Sequence, residues 1–149
     1  SNPSADITAV VFPVPSVTIT SSDSNNEICE GESITFTTAP SGLANYEFFN
    51  NGVSVQSGAS NIYTTTALTS PNSIYVIATD NGCPSLASNT IVTAVIPAPV
   101  VTIVSSDNDS QICEGDNVTF TASPSGFVNY EFFENGISVQ SGASNIYST

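Results

Sequence analysis

Residues 45–58 read NYEFFNNGVSVQSG, and residues 129–142 read NYEFFENGISVQSG. In each stretch two short, alternating apolar runs flank an Asn-Gly pair, Asn51-Gly52 or Asn135-Gly136. Asn and Gly tolerate the positive φ that a two-residue hairpin turn requires, so both stretches predict β-hairpins. They belong to a longer duplication. Residues 15–65 and 99–149 align without a gap at an offset of 84, with 35 of 51 positions identical. Repetition of that fidelity predicts a tandem array of one folding unit.

The same offset organises the rest of the chain. Residues 15–98 read as one complete repeat. Residues 7–13 (ITAVVFP) match 91–97 (IVTAVIP), so 1–14 read as the last strand of a preceding repeat plus a Pro linker. Residues 99–149 read as a partial second repeat lacking its last strands, without a counterpart of 66–98. The expected parent is a longer array. The linkers Pro13-Val14-Pro15 and Pro97-Ala98-Pro99 are short, and proline makes them stiff and extended.

No stretch holds a helical period, and the apolar runs are short and β-branched. Strands are expected at 16–20, 33–39, 45–50, 53–57, 62–68, 73–79 and 90–96, with turns rich in Gly, Pro and Asn between them. Seven short antiparallel strands per repeat predict an all-β chain of tandem immunoglobulin-like sandwiches, strung as a rod-like array. Alternation assigns the core to Ile34 and Phe36, Tyr46 and Phe48, Tyr75 and Ile77, and Ile91 with Thr93 and Val95. Phe120, Tyr130 and Phe132 repeat the pattern in the second unit. Burying a Phe-sized side chain stabilises by roughly 2–3 kcal/mol. Phe49 and Phe133 are expected under a neighbouring strand or loop, the alternative being an outer face that binds a ligand.

Thirteen acidic side chains face no Lys, Arg or His, giving a net charge of −13. Such a surface repels phosphate backbones and anionic headgroups, which excludes nucleic acid and an anionic membrane surface as direct ligands. Without Lys no Lys–Asn isopeptide bond can form. Without His the usual serine and cysteine triads are excluded. No glycine-rich phosphate loop is present. Glu47 and Glu131 are the nearest approach to a hydrolytic carboxylate, and nothing in the sequence sets a second acid opposite either. No apolar run reaches the 18 residues of a membrane-spanning helix. An enzyme is not expected.

Cys29 and Cys83 fall in the complete repeat, and Cys113 is the copy of Cys29. Two cysteines per repeat without His point to disulfides of an exported protein rather than to a metal site. Cys29–Cys83 within the repeat is the simplest pairing. In a seven-strand sandwich, however, the two turns lie at opposite ends, farther apart than the roughly 7 Å that a disulfide spans between Cα atoms. A staggered pairing, from Cys29 to the next repeat's copy of Cys83, is the other reading. Asp23, Glu27, Glu30 and Glu32 crowd one loop, and Asp107, Asp109, Glu114 and Asp116 crowd its copy. With Asp80 of a neighbouring turn they are candidate calcium ligands, against the alternative of solvated acidic turns, because no calcium-loop spacing is present. No other cofactor is expected.

Glu30-Gly31-Glu32-Ser33-Ile34-Thr35-Phe36 resembles the start of the second strand of immunoglobulin-like domains, and Tyr75-Val76-Ile77-Ala78 resembles their sixth. Phe48 stands where that family has its core Trp, while Thr38 and Ile77 stand where it has the core cysteines. The wider set is Ile28-Cys29-Glu30-Gly31, Tyr46-Glu47-Phe48-Phe49-Asn50-Asn51-Gly52, Val55-Gln56-Ser57-Gly58, Tyr63 and Asn81-Gly82-Cys83. It is similar to the immunoglobulin-like or PKD-like repeats of giant surface adhesins of Bacteroidetes, including those of gliding motility. The resemblance implies type IX secretion, an extracellular place on the outer membrane, and a filamentous stalk whose partners are its neighbouring repeats. Two further readings are a carbohydrate-binding module, with Tyr46, Phe49 or Tyr63 as a platform for surface glycans, and a filament subunit that pairs residues 5–12 with another copy of itself.

Overall fold

A computed structural model of the chain describes residues 7–149. The chain divides into two compact units, Ser1–Ala98 and Pro99–Thr149. Among the described residues every regular element is a strand.

The first unit holds β1 (Thr18–Ser21), β2 (Glu27–Cys29), β3 (Ile34–Ala39), β4 (Asn45–Asn50), β5 (Val53–Gly58), β6 (Ile62–Thr65), β7 (Asn72–Asp80), β8 (Cys83–Pro84) and β9 (Ile91–Ile96). One sheet has the order β1-β3-β6. The other has β2-β9-β7-β4-β5, with β8 also on β7. All pairs within the unit are antiparallel except β2 with β9, which run parallel with Ile28 opposite Val95. The first strand region therefore serves both sheets. It pairs with β3 as β1, crosses over at Asn26 in the left-handed region (φ 58°), and joins β9 as β2. The expected Asn51-Gly52 turn joins β4 to β5, with φ of 49° and 80° at the two residues.

Ile19, Ile34 and Phe36 of one sheet pack against Tyr46, Phe48, Ile74, Val76 and Ile91 of the other in a single buried cluster. This places Ile34, Phe36, Tyr46 and Phe48 in the interior as the alternation predicts, with Tyr46 fully enclosed. The Tyr46 hydroxyl donates to the Pro40 carbonyl (2.7 Å) and accepts from the Leu43 amide (3.0 Å), so the buried ring keeps its polar tip satisfied.

On β7 the expectation is reversed. Ile74, Val76 and Ala78 point inward, whereas Tyr75 and Ile77 are half-buried on the outer face. Both alternating sets of this strand are apolar, so hydropathy leaves its phase open, and a one-residue shift exchanges the faces. The register with β4, Phe48 opposite Val76, decides the phase.

Two short strands lie where the sequence suggests loops, at β2 and β8. Between its rungs with β8 and with β9, β7 is satisfied by the segment that joins those two strands. The Ala78 amide donates to Ser85 Oγ (2.9 Å) and the Val76 amide to Ser88 Oγ (3.0 Å). Residues 7–13, expected as a strand, carry no strand assignment. Their counterpart β9 is held by β7 and β2, and these residues have no such partners among the described ones. Residues 1–6 lie outside the described part.

The second unit contains β10 (Thr102–Ser105), β11 (Thr119–Ser123), β12 (Tyr130–Glu134), β13 (Ile137–Gly142) and β14 (Ile146–Ser148). Its sheets are β10-β11-β14 and β12-β13, reproducing the pairings of β1, β3, β6 and of β4, β5. Ala122, Tyr130 and Phe132 form its buried cluster, with Phe120 and Tyr147 packed against it.

Asn89 ties the sheets of the first unit together. Its Oδ1 accepts from the Ile19 amide (2.9 Å) and its Nδ2 donates to the Ile19 carbonyl (3.0 Å), so one amide side chain acts as a strand neighbour for β1. Losing both bonds leaves a partly buried backbone pair unsatisfied. Asn89→Ala is therefore expected to lower unfolding stability by about 1–3 kcal/mol, read from urea denaturation.

Candidate functional site

The acidic loop is the first candidate. Asp23 Oδ1 accepts from the amides of Asn25 (3.1 Å) and Glu27 (3.2 Å), and Glu32 Oε2 accepts from the Cys29 amide (3.0 Å). Glu30 Oε2 lies 3.4 Å from the Ala98 amide, which donates to it. The copy behaves alike. Asp109 Oδ1 accepts from the Gln111 amide and Asp116 Oδ2 from the Cys113 amide. Most of these carboxylates thus fold their own turns. Asp80 receives the Asn81 amide group at the far end of β7. Among the described residues no three of Asp, Glu, Cys and His come together as a metal-holding group. The expected calcium set of Asp23, Glu27, Glu30, Asp80, Asp107 and Asp109 is not assembled within either unit.

The cysteines are all unpaired. Cys29 ends β2 opposite Ile96, where β9 leaves the unit. Cys83 faces Asp80 in the β7–β8 turn, and its Sγ lies 4.0 Å from the Phe12 carbonyl, on the segment that leads into β1. Asn72, opposite Thr93, begins β7, and Asp80 ends it. At about 3.3 Å per residue that strand alone spans about 26 Å. Cys29 and Cys83 thus occupy opposite ends of the sandwich, and the pairing Cys29–Cys83 within the repeat is excluded by topology. Cys113 is exposed in the second unit.

The aromatic candidates separate. Tyr46 is internal and cannot serve as a platform. Tyr63 packs against Phe36 (6.1 Å between ring centroids) and Phe48 (5.6 Å). Phe49 stacks on Tyr75 at 5.0 Å and 9° on the outer face of the larger sheet. Its copy Phe133 is 61% exposed. Glu47 lies across from Ile77 and Ser57 rather than from a second acid.

The second unit has an open apolar cavity of about 450 Å³ lined by Ile103, Val118, Phe120, Phe132 and Tyr147. In the first unit the matching Ile19, Ile34, Phe36, Phe48 and Tyr63 pack with Ile28, Ile74 and Ile91. Residues 99–149 match only 15–65, so the cavity is the space that β7 and β9 fill in the complete repeat. It is an uncovered core rather than a ligand pocket.

No curated protein matches the chain in sequence. Among solved structures it is similar to the fibronectin(III)-like modules of Clostridium thermocellum CbhA, at 18% identity and TM-score 0.47, over 89% of this chain and 77% of that one. It is also similar to the human OSCAR ligand-binding domain, at 15% identity and TM-score 0.46, over 91% and 81%. The family pattern of Ig-like domain, CHU_C associated, matches residues 15–97, the span of the complete sandwich. The chain belongs to this family of immunoglobulin-like domains.

Proposed function

We propose that the chain is a structural repeat of a long bacterial cell-surface adhesin or filament, extending a binding region from the outer membrane and carrying load. The observation that carries this reading is the duplication, 35 identical positions of 51, in an immunoglobulin-like family. The interior of the complete repeat supports it, since its side chains are spent on packing and its carboxylates on turns. The role is non-enzymatic, extracellular and independent of a cofactor. The resemblance to adhesins of gliding bacteria extends it to type IX secretion and surface motility.

The cysteines fit the same role as links between repeats. Cys29 stands where β9 leaves the sandwich and Cys83 beside the segment that enters it. Cys29 would join the copy of Cys83 in the following repeat, and Cys83 the copy of Cys29 in the preceding one. Each bond forms by thiol–disulfide exchange, in which a disulfide oxidant accepts the two electrons and two protons of the thiol pair.

A second reading draws on the Phe49–Tyr75 stack, whose outward position suits a shallow glycan platform. Glycan-array binding lost in Phe49→Ala would favour that reading over a purely structural one.

Pulling single molecules of an array of several repeats is expected to give evenly spaced unfolding events of repeat length. A featureless extension would overturn the stalk. Non-reducing peptide mapping of a three-repeat chain is expected to recover peptides joining Cys29 to a neighbour's copy of Cys83. In the 149-residue chain alone, all three thiols are expected to react with a thiol reagent under native conditions.

A further inference from the structure

One row on the inner face of the six-stranded sheet is polar. Glu27 faces Ala94 in the parallel pair, so Asn26 stands beside Thr93, and its carbonyl accepts from the Ala94 amide at 2.9 Å. Thr93 faces Asn72 on β7. Asn72 Oδ1 in turn accepts from Asn50 Nδ2 of β4 at 3.1 Å. Thr93 is 0% exposed and Asn72 1%. Each of the four residues keeps one buried side-chain atom without a protein partner: Asn26 Oδ1, Thr93 Oγ1, Asn72 Nδ2 and Asn50 Oδ1.

Buried amides and hydroxyls in folded proteins are almost always paired, and an ordered water is the usual partner where the protein supplies none. We infer that this row is a binding site for one structural water molecule. Asn72 Nδ2 donates to the water, and its two protons go to two of the oxygens of Asn26, Asn50 and Thr93. Three bonds match the usual coordination of a buried water.

The donor set discriminates against a cation. The row has no carboxylate, and one of its four unpartnered atoms is an N–H donor where a metal would need an oxygen. The water joins the crossover of the first strand region to β9, β7 and β4 at the end where β9 leaves the repeat. The second repeat carries Ser110 and Glu134 in place of Asn26 and Asn50, so the row is not copied unchanged.

The test is water–protein cross-relaxation by NMR on the isotope-labelled 149-residue chain, with water itself as the probe. Cross-peaks between a long-lived water and the Asn72 side-chain amide are expected. Thr93→Val keeps the shape of the side chain, and Asn26→Gly suits the positive φ at that position. Combined in one chain, the two substitutions leave the water a single acceptor, and they are expected to abolish the cross-peaks and to speed exchange of the Ala94 amide about tenfold. The inference is overturned if the native chain shows no long-lived water, or if the cross-peaks survive in the double variant. Saturable movement of these resonances on adding calcium alone would also overturn it, making the row a cation site.

Discussion

A chain without a cationic side chain cannot neutralise its own carboxylates, and that constraint decides which side chains can cross-link the fold. Thirteen acids repel one another and have no counter-charge to meet. They go to the surface and into their own turns. Cross-linking falls to neutral amides and hydroxyls. Asn61 Nδ2 donates to the Thr38 carbonyl at 2.7 Å, Gln56 reaches the Ile62 carbonyl, and Asn89 clamps Ile19. The second unit repeats two of these with Asn145 and Gln140. Such bonds are less sensitive to salt than ion pairs, because no net charge is being screened.

Much of the fold is legible in the chain itself. The Asn-Gly hairpin, the short β-branched runs and the proline linkers lead to a sandwich with most strand boundaries within a residue or two of those found. What escapes has physical causes. Tyr75 and Ile77 look internal because β7 is apolar on both faces, and only its pairing with β4 shows which face is covered. Glu27–Cys29 looks like part of an acidic loop because a three-residue strand leaves almost no alternation to read. The separation of Cys29 from Cys83 is legible, since it follows from strand direction alone. The gathering of acids is not, since side chains dense in sequence can each turn to a different backbone amide.

The two copies show how far neighbours, rather than composition, set the environment of a residue. Phe49 and Phe133 occupy equivalent hairpins. One is covered by Tyr75 and the other is open to solvent. Phe36 is sealed under Ile74 and Ile91, while Phe120 borders the cavity of the second unit. An exposed aromatic in such a repeat therefore reports on which strands are beside it before it reports on a ligand.

The parallel pairing of β2 with β9 has a mechanical corollary. β2 closes the first strand region, after β1, and β9 is the last strand of the unit, and the two point the same way. Tension drawn through residue 13 reaches β2 only through β1 and tugs it backward, while tension drawn through residue 97 tugs β9 forward. The two slide past each other in shear, so the rungs from Glu27–Ala94 to Cys29–Ile96 resist together instead of parting one by one like a zip.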